Sequence, residues 1–269
     1  MNKIANQVTQ FNVSDWQHSE QSSGYWLINL TLTTPMTFDV ASDFWLDSHS
    51  ESLRLFHQTA HTDRTQLQLL SRSPIIPVSS EIPVATTQPP TALLLHCRAP
   101  KIPTQVPLTG NLLILGSGVE LANLFCIAKQ RELVQGMRQE KATQTQDHSK
   151  DQIKGQTLAL LHSSNGFPFV VKPARFLFPE LPAEAIGASS LLEDWKINNR
   201  LASELDLPGC FEGSLAELLE QWIYAHKQTA AAQKNWQVIA CLSPEMTAEC
   251  RAVCETTNWL HFAHLTYHS

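Results

Sequence analysis

The sequence predicts two domains: an N-terminal antiparallel β-barrel over residues 1–107 and a C-terminal α/β domain with a parallel sheet over residues 108–269. Three observations support this fold class. The chain has 269 residues, which is enough for two ordinary domains. Its first hundred residues carry short alternating apolar segments with turn residues between them and no strong helical pattern. After Pro107, apolar runs alternate with helical periodicities, which is typical of strand–helix units.

The barrel strands are predicted from alternation and from an excess of β-branched and aromatic residues. They are expected over residues 24–38, 53–59, 65–72 and 91–98. The polar turn AHTD joins the second of these to the third, which indicates a hairpin. Prolines follow the third strand and interrupt the pattern, because proline lacks the N–H that a sheet ladder needs. Short strands without a strong helix predict a small antiparallel barrel.

The α/β domain is predicted from apolar runs that each precede an amphipathic segment. Strands are expected over residues 111–116, 157–163, 200–204, 236–241 and 259–267, and helices over residues 119–133, 188–197, 214–227 and 244–257. Residues 170–178 are predicted to add a strand or a hairpin. Ser214, with Glu217 three positions later, is a capping box that begins the third helix. Since ligands of such sheets bind beside the carboxyl ends of the strands, the residues after each strand are the candidates for function.

Composition excludes several classes of function. The chain is 43% hydrophobic and 16% charged, with a formal net charge of −6 and no cluster of Lys or Arg, so no nucleic-acid partner is expected. No apolar run reaches the length of about 18 residues that a membrane span requires, and the start of the chain lacks the pattern of a signal peptide. The protein is therefore expected to be cytoplasmic, without disulfides. Cys250 and Cys254 are interpreted as buried small hydrophobes, and no metal site is predicted.

The turn Gly116-Ser117-Gly118 follows the first strand of the α/β domain directly. Glycines there let a ligand approach the backbone, and the start of the next helix offers free N–H groups to a phosphate. A plain strand-to-helix turn explains the same residues equally well. The dinucleotide fingerprint G-x-G-x-x-G lacks its third glycine, because position 121 is leucine. Glu120 in the first helical turn repels a phosphate.

Two further turns at strand ends are candidates. Cys241 ends the strand WQVIAC, and a thiol at this edge suits contact with a flat redox ring, with Met246 five positions later. Ser243 as a helix cap explains most of that segment without a ligand. Gly213 precedes the capped helix and permits close backbone approach, although an ordinary turn accounts for it as well.

In this order the motifs resemble the ferredoxin–NADP reductase superfamily, and most resemble the electron-transfer subunits of dihydroorotate dehydrogenase. The G-G-[ST]-G-x-x-P turn of that superfamily agrees at residues 116–118 only. Its G-x-[VL]-T-[DE]-L-L segment agrees well with residues 213–219, and its C-G-P-x-x-M strand end agrees at Cys241 and Met246. The flavin motif R-x-Y-[ST] falls on the segment Arg-Leu-Phe-His, residues 54–57, ahead of a strand of the L-x-L-L-x-R kind.

The resemblance implies an FAD-dependent oxidoreductase that transfers electrons between NAD(P)H and a partner protein or a small-molecule acceptor. It implies that Arg54, Phe56 and His57 hold FAD. It implies that the dinucleotide contacts Gly116, Ser117, Gly118 and Gly213, that Met246 lines the ring site, and that Cys241 is the catalytic residue. The family's iron–sulfur extension needs cysteines after the last helix, and none follows Cys254, so no iron–sulfur cluster is expected.

The departures from the family motifs keep two alternatives open. Leucine replaces glycine, proline and glycine at positions 115, 121 and 242, and the side chain of Leu242 is expected to occupy the nicotinamide space. These changes favour a degenerate family member that acts as a binding or partner subunit without redox activity. A methyltransferase also opens its cofactor site with G-S-G, but it requires an acid at the end of the second strand, where His162 stands.

Overall fold

The structure is a computed structural model that describes residues 8–47, 49–75, 93–100, 104–144, 155–228 and 235–263. The chain separates into two compact units, and the division falls between Thr104 and Gln105. We call the N-terminal part unit 1 and the C-terminal part unit 2. No helix among the described residues is both long enough and apolar enough to cross a lipid bilayer.

Unit 1 is a closed antiparallel barrel with the strand order β1-β2-β5-β4-β3-β6. Its strands are β1 (Val8–Glu20), β2 (Trp26–Leu32), β3 (Asp43–Leu46), β4 (His49–Ala60), β5 (Thr65–Ser71) and β6 (Leu94–Arg98). In the central strands, leucines that face the barrel interior alternate with polar residues that face outward. Leu53, Leu55 and Leu69 have no exposed surface. These inward-facing side chains fill the interior of the barrel with an apolar core. The predicted antiparallel barrel is confirmed.

Unit 2 is built on a parallel sheet with the strand order β12-β11-β8-β7-β13-β14. Its strands are β7 (Asn111–Ser117), β8 (Thr157–His162), β11 (Asn198–Ser203), β12 (Phe211–Glu212), β13 (Trp236–Cys241) and β14 (Leu260–Ala263). The short strands β9 (Lys172–Pro173) and β10 (Gly187–Ala188) pair separately. The helices are α1 (Leu121–Gln144), α2 (Ser190–Asp194), α3 (Leu215–Lys227) and α4 (Pro244–Glu255). The predicted parallel α/β sheet is confirmed.

The first strand of unit 2, β7, lies at the centre of the sheet. From β7 the chain proceeds to β8, β11 and β12 on one side, and then crosses back to place β13 and β14 on the other side. The strand order therefore reverses between β7 and β13. In parallel sheets a crevice forms at such a reversal, beside the carboxyl ends of the two strands.

The core of unit 2 is centred on α3. Trp222 of this helix has no exposed surface, and its ring centroid lies 5.2 Å from that of Trp236 and 5.5 Å from that of Trp259. The start of α3 is fixed by the predicted capping box. Ser214 Oγ accepts from the Glu217 N–H at 3.2 Å, and Glu217 Oε2 accepts from the Ser214 N–H at 2.7 Å.

Candidate functional site

The turn after β7 and the turn after β13 lie side by side at the carboxyl edge of the sheet in unit 2. Gly116 of β7 is paired with Cys241 of β13, the last residue of that strand. A short 3₁₀ turn, Gly118–Glu120, then leads into α1. This edge is the place where the strand order reverses, so the Gly-Ser-Gly turn opens into the crevice that such sheets use for ligands.

The two glycines of this turn have different physical roles. A Cβ on Gly116 would lie 2.6 Å from Leu124 Cδ1 and 3.1 Å from Leu124 Cβ, so glycine at 116 lets α1 pack against β7. Gly118 has a φ of 61°, a backbone conformation that residues other than glycine rarely adopt. No described atom beyond its chain neighbours lies within 4 Å of a Cβ built there. Of the two, only Gly118 faces open space.

Ser117 is held by a histidine that sequence analysis assigned no role in a site. Its Oγ lies 3.1 Å from Nδ1 of His162, the last residue of the neighbouring strand β8. On the far side of the ring, Nε2 of His162 lies 3.8 Å from an oxygen of Glu204, directly after β11. At or directly after their carboxyl ends, three adjacent strands thus carry a serine, a buried histidine and a largely exposed carboxylate.

The protonation of His162 follows from its surroundings. The side chain is 5% exposed, and burial lowers its pKa, while the charge of Glu204 acts in the opposite direction. The imidazole is therefore neutral at pH 7. Among the described residues, Nε2 of His162 has no hydrogen-bond partner.

The three leucines that depart from the family motifs face the core of unit 2. Leu115 and Leu121 have no exposed surface, and Leu242 is 1% exposed. Leu115 and Leu242 belong to the hydrophobic cluster around Trp222. The expectation that Leu242 fills the nicotinamide space is therefore wrong, because its side chain is buried in this cluster, where burial of apolar surface is favourable.

Cys241 and Met246 are placed differently from each other. Cys241 has no exposed surface, which leaves its thiol no face within unit 2 that a ring could touch. Met246 lies in the first turn of α4, partly buried against the core, and its N–H donates to Ser243 Oγ at 3.3 Å. The catalytic role of Cys241 stays a prediction, and its burial weighs against it.

Gly213 is required by the helix cap that follows it. With its φ of 150°, a Cβ at this position would lie 2.6 Å from Oε2 of Glu217 and 2.8 Å from the ring of Phe211. Glu217 uses that oxygen in the capping box of α3. The glycine therefore has a full structural explanation, and its cofactor role stays a prediction.

The predicted flavin residues lie on β4 of the barrel. Nη1 of Arg54 donates to Oδ1 of Asp43 on β3 at 2.9 Å, and the two side chains are 11% and 10% exposed. The register of β4 against β5 shifts between Leu55 and His57, which places Phe56 in a β-bulge. Bulges redirect side chains, and this one brings Phe56 and His57 onto the outside of the barrel together.

His57 contributes to a polar groove of about 360 Å³ on the barrel surface. The groove crosses four adjacent strands, β1, β2, β5 and β4, and most of its lining side chains carry amide, hydroxyl or carboxylate groups. Thr59 Oγ1 lies 3.3 Å from Nε2 of His57, and Nε2 of Gln68 donates to Oδ1 of Asn29 at 3.0 Å. Such a surface can bind a planar polar ligand through several hydrogen bonds.

The structure therefore brings the predicted residues together in two groups, one in each unit. Three functional candidates were assigned no site role at the sequence level: Asp43, His162 and Glu204. Asp43 lies outside every family motif. His162 and Glu204 each end or follow a strand, so the rule that ligands bind at strand carboxyl ends was the available signal.

Comparison with known proteins finds solved structures with a similar fold. No family model matches the chain, and no curated protein matches it either. Among solved structures, the chain is similar to the cytochrome P450 reductase GcoB of Amycolatopsis, with a TM-score of 0.53 and 12% identity over 97% of this chain and 71% of that one. It is also similar to the ferredoxin reductase of carbazole 1,9a-dioxygenase, with a TM-score of 0.50 and 10% identity over 97% and 70% of the two chains. The likeness confirms at the level of fold the resemblance drawn from the motifs.

Proposed function

Starting from a chain with the two-domain fold of the ferredoxin reductases, we propose that the protein is an FAD-dependent oxidoreductase that transfers electrons between NAD(P)H and an acceptor. The observation that carries the proposal is the turn Ser117–Gly118. It lies where the strand order of a parallel sheet reverses, it faces open space, and it leads into the long helix α1.

The dinucleotide fits this turn in shape. Gly118 leaves room for a pyrophosphate to approach the backbone, and the N–H groups of the 3₁₀ turn Gly118–Glu120 lie at the positive end of the helix dipole. The leucines at positions 115, 121 and 242 are buried in unit 2, so their side chains do not project into the space beside the turn. Glu120 in the first turn opposes an anion, so the N–H groups and Ser117 have to outweigh one carboxylate.

The flavin fits the barrel through hydrogen bonds and stacking. His57 and its polar neighbours in the groove offer donors and acceptors, and Phe56 is adjacent to His57 on β4. Arg54 would hold the flavin phosphates while keeping Asp43 as a second partner. A bound flavin would supply the hydride and single-electron chemistry, while the protein binds it, orients it and excludes water.

The test is an ultraviolet–visible spectrum of the freshly purified protein, repeated after FAD and then NADH are added without oxygen. We expect flavin absorbance that co-elutes with the protein and bleaches when NADH is added. A colourless protein that leaves added FAD unbound would overturn the flavin part. Bound FAD that stays oxidised in excess NADH and NADPH would overturn the electron-transfer part.

Arg54→Leu is expected to weaken FAD binding by about 10- to 100-fold, because a charge-assisted hydrogen bond to phosphate is worth roughly 1.5–3 kcal/mol. Fluorescence titration of FAD measures this change. Arg64→Leu is the matched control, since Arg64 is exposed in the turn between β4 and β5. Equal FAD affinity in both variants would remove Arg54 from the site.

A second candidate function is a partner subunit without redox activity. Two observations favour it: Asp43 already compensates the charge of Arg54, and Cys241 is fully buried. It predicts no tight binding of NADH, so a dissociation constant in the micromolar range would exclude it.

The electron acceptor in the first proposal is a partner protein or a small molecule, and the proposed compartment is the cytoplasm. The subgroup resemblance to dihydroorotate dehydrogenase subunits stays a prediction.

A further inference from the structure

The side chains of Ser117, His162 and Glu204 form a row at the carboxyl edge of the sheet in unit 2. The direction of the hydrogen bonds along this row affects ligand binding. Ser117 Oγ lies 3.1 Å from Nδ1 of His162, and an oxygen of Glu204 lies 3.8 Å from Nε2 of the same ring. The ring is 95% buried, and its Nε2 has no hydrogen-bond partner among the described residues. Ser117 itself is partly exposed beside the open space at Gly118.

The carboxylate of Glu204 decides which ring nitrogen carries the proton. A negative charge near Nε2 favours the tautomer with hydrogen on Nε2, because the alternative would point a lone pair at the carboxylate. Nδ1 is then an acceptor, and the hydroxyl of Ser117 donates to it. In this state Ser117 presents only oxygen lone pairs to the crevice, and a phosphate oxygen there meets an acceptor instead of a donor.

We propose that the Ser117–Gly118 turn binds the pyrophosphate of a dinucleotide together with one proton, which His162 takes up at Nδ1. Protonated Nδ1 donates to Ser117 Oγ, and this reversal frees the serine hydroxyl to donate to the phosphate. The imidazolium also brings a positive charge to a turn where Glu120 and Glu204 are both acidic. The ligand in this inference rests on the proposed function, whereas the proton relay rests on the geometry of unit 2.

The direction of the pH dependence follows from linkage. In the free protein burial keeps the pKa of His162 below its usual value, and a bound anion raises it. Between these two pKa values the complex holds one more proton than the free protein. Affinity therefore rises as pH falls through this window, by up to about tenfold per pH unit, and levels off outside it.

The experiment is isothermal titration calorimetry with ADP-ribose, whose pyrophosphate diester does not itself titrate near neutral pH. Titrations between pH 8 and pH 5.5, in two buffers of different ionisation enthalpy, measure affinity and proton uptake together. We expect affinity to increase about tenfold or more towards pH 5.5, with close to one proton taken up per ADP-ribose in the window.

Two variants separate the relay from a merely structural histidine. His162→Asn should abolish the proton uptake, whereas His261→Asn on the exposed face of β14 should leave it unchanged. Glu204→Gln removes the tautomer preference, so ADP-ribose should bind about tenfold more tightly at pH 8 and with less proton uptake. Should His162→Asn fail to fold, an NMR titration of His162 in the wild-type protein, with and without ADP-ribose, gives the two pKa values directly.

The outcomes distinguish this inference from the proposed function. Binding of ADP-ribose without proton uptake, or with an unchanged pKa of His162, overturns the relay and leaves the oxidoreductase proposal standing. No binding at any pH overturns the pyrophosphate site itself, and NADH titration then decides whether the dinucleotide binds elsewhere.

Discussion

Trp222→Ala is expected to lower the free energy of unfolding of unit 2 by about 3–5 kcal/mol, the range for truncating a buried tryptophan. The ring has no exposed surface and packs edge-on against Trp236 and Trp259. Its Nε1 also donates to Oε2 of Glu180 at 3.2 Å, the same oxygen that lies 2.7 Å from Nδ1 of His226. Truncation therefore opens a large cavity and removes one hydrogen bond from the partly buried carboxylate of Glu180.

Chemical denaturation followed by the circular dichroism of the helices measures this loss. Tyr224→Ala is the matched control, because Tyr224 belongs to the same helix and is 68% exposed. We expect the control to change stability by less than about 1 kcal/mol. A comparable effect of the two substitutions would show that α3 does not pack through Trp222.

Arg131→Met is expected to lower the free energy of unfolding by about 3 kcal/mol or more, because one buried guanidinium donates several hydrogen bonds. Arg131 of α1 is 1% exposed. Its Nε donates to Thr157 Oγ1 at 2.8 Å, and its Nη atoms donate to the carbonyls of Pro107 and Gly110. The side chain thus joins the entry to β7, the start of β8 and α1.

Burial lowers the pKa of Arg131 to about 10, so the guanidinium remains charged at neutral pH and all its bonds are made. Methionine keeps the apolar stem and removes the charge and the donors, so the carbonyls of Pro107, Gly110 and Gln156 lose their hydrogen bonds from Arg131. Lys129→Met is the control, since Lys129 lies on the same helix with a side chain that is 28% exposed. Its ammonium donates to Glu132 at 2.9 Å and lies 5.0 Å from the ring centroid of Trp195, so it makes fewer and weaker contacts than Arg131. Urea denaturation of both variants checks the difference, and equal stability would contradict the bracing role of Arg131.

The elements that sequence predicted best are those that local chemistry defines. The helix α3 begins where Ser214 and Glu217 predicted it, because the capping box acts within four residues. The strands β4 and β5 were predicted as residues 53–59 and 65–72 with a polar turn between them, and β4 begins four residues earlier than predicted, at His49. In contrast, β1 (Val8–Glu20) was not predicted, because its sequence shows little alternation of apolar and polar residues. None of its residues is fully buried. Its place is set by pairing with β2 and β6, which are distant in sequence.

The segment over residues 170–178 shows the opposite error. Its apolar content predicted a strand or hairpin, yet only Lys172 and Pro173 pair in a sheet, and Leu177 is 96% exposed. Proline at 173 has no N–H to donate, which limits a ladder at that point. Hydrophobic content alone could not distinguish a surface segment from a core strand.

The candidate site was predictable in part. The Gly-Ser-Gly turn and the β4 motif were found because each lies within a few consecutive residues. Asp43 and Glu204 were not found, since pairing with Arg54 and with His162 depends on strand order rather than on spacing. His162 was noted as a strand end, but only the packing of β8 beside β7 gives it a role with Ser117.

Gly116 and Gly118 are two positions apart, yet natural selection acts on them for different reasons. The first is retained for as long as the helix packs on the strand, whatever the protein binds. The second has open space above it, but its φ of 61° favours glycine whether or not a ligand is bound, and asparagine or aspartate are the side chains that tolerate such a φ best. A lineage that abandoned its ligand would keep Gly116 and would accept asparagine or aspartate at position 118, so orthologues with that combination would mark a loss of binding within a fold that persists.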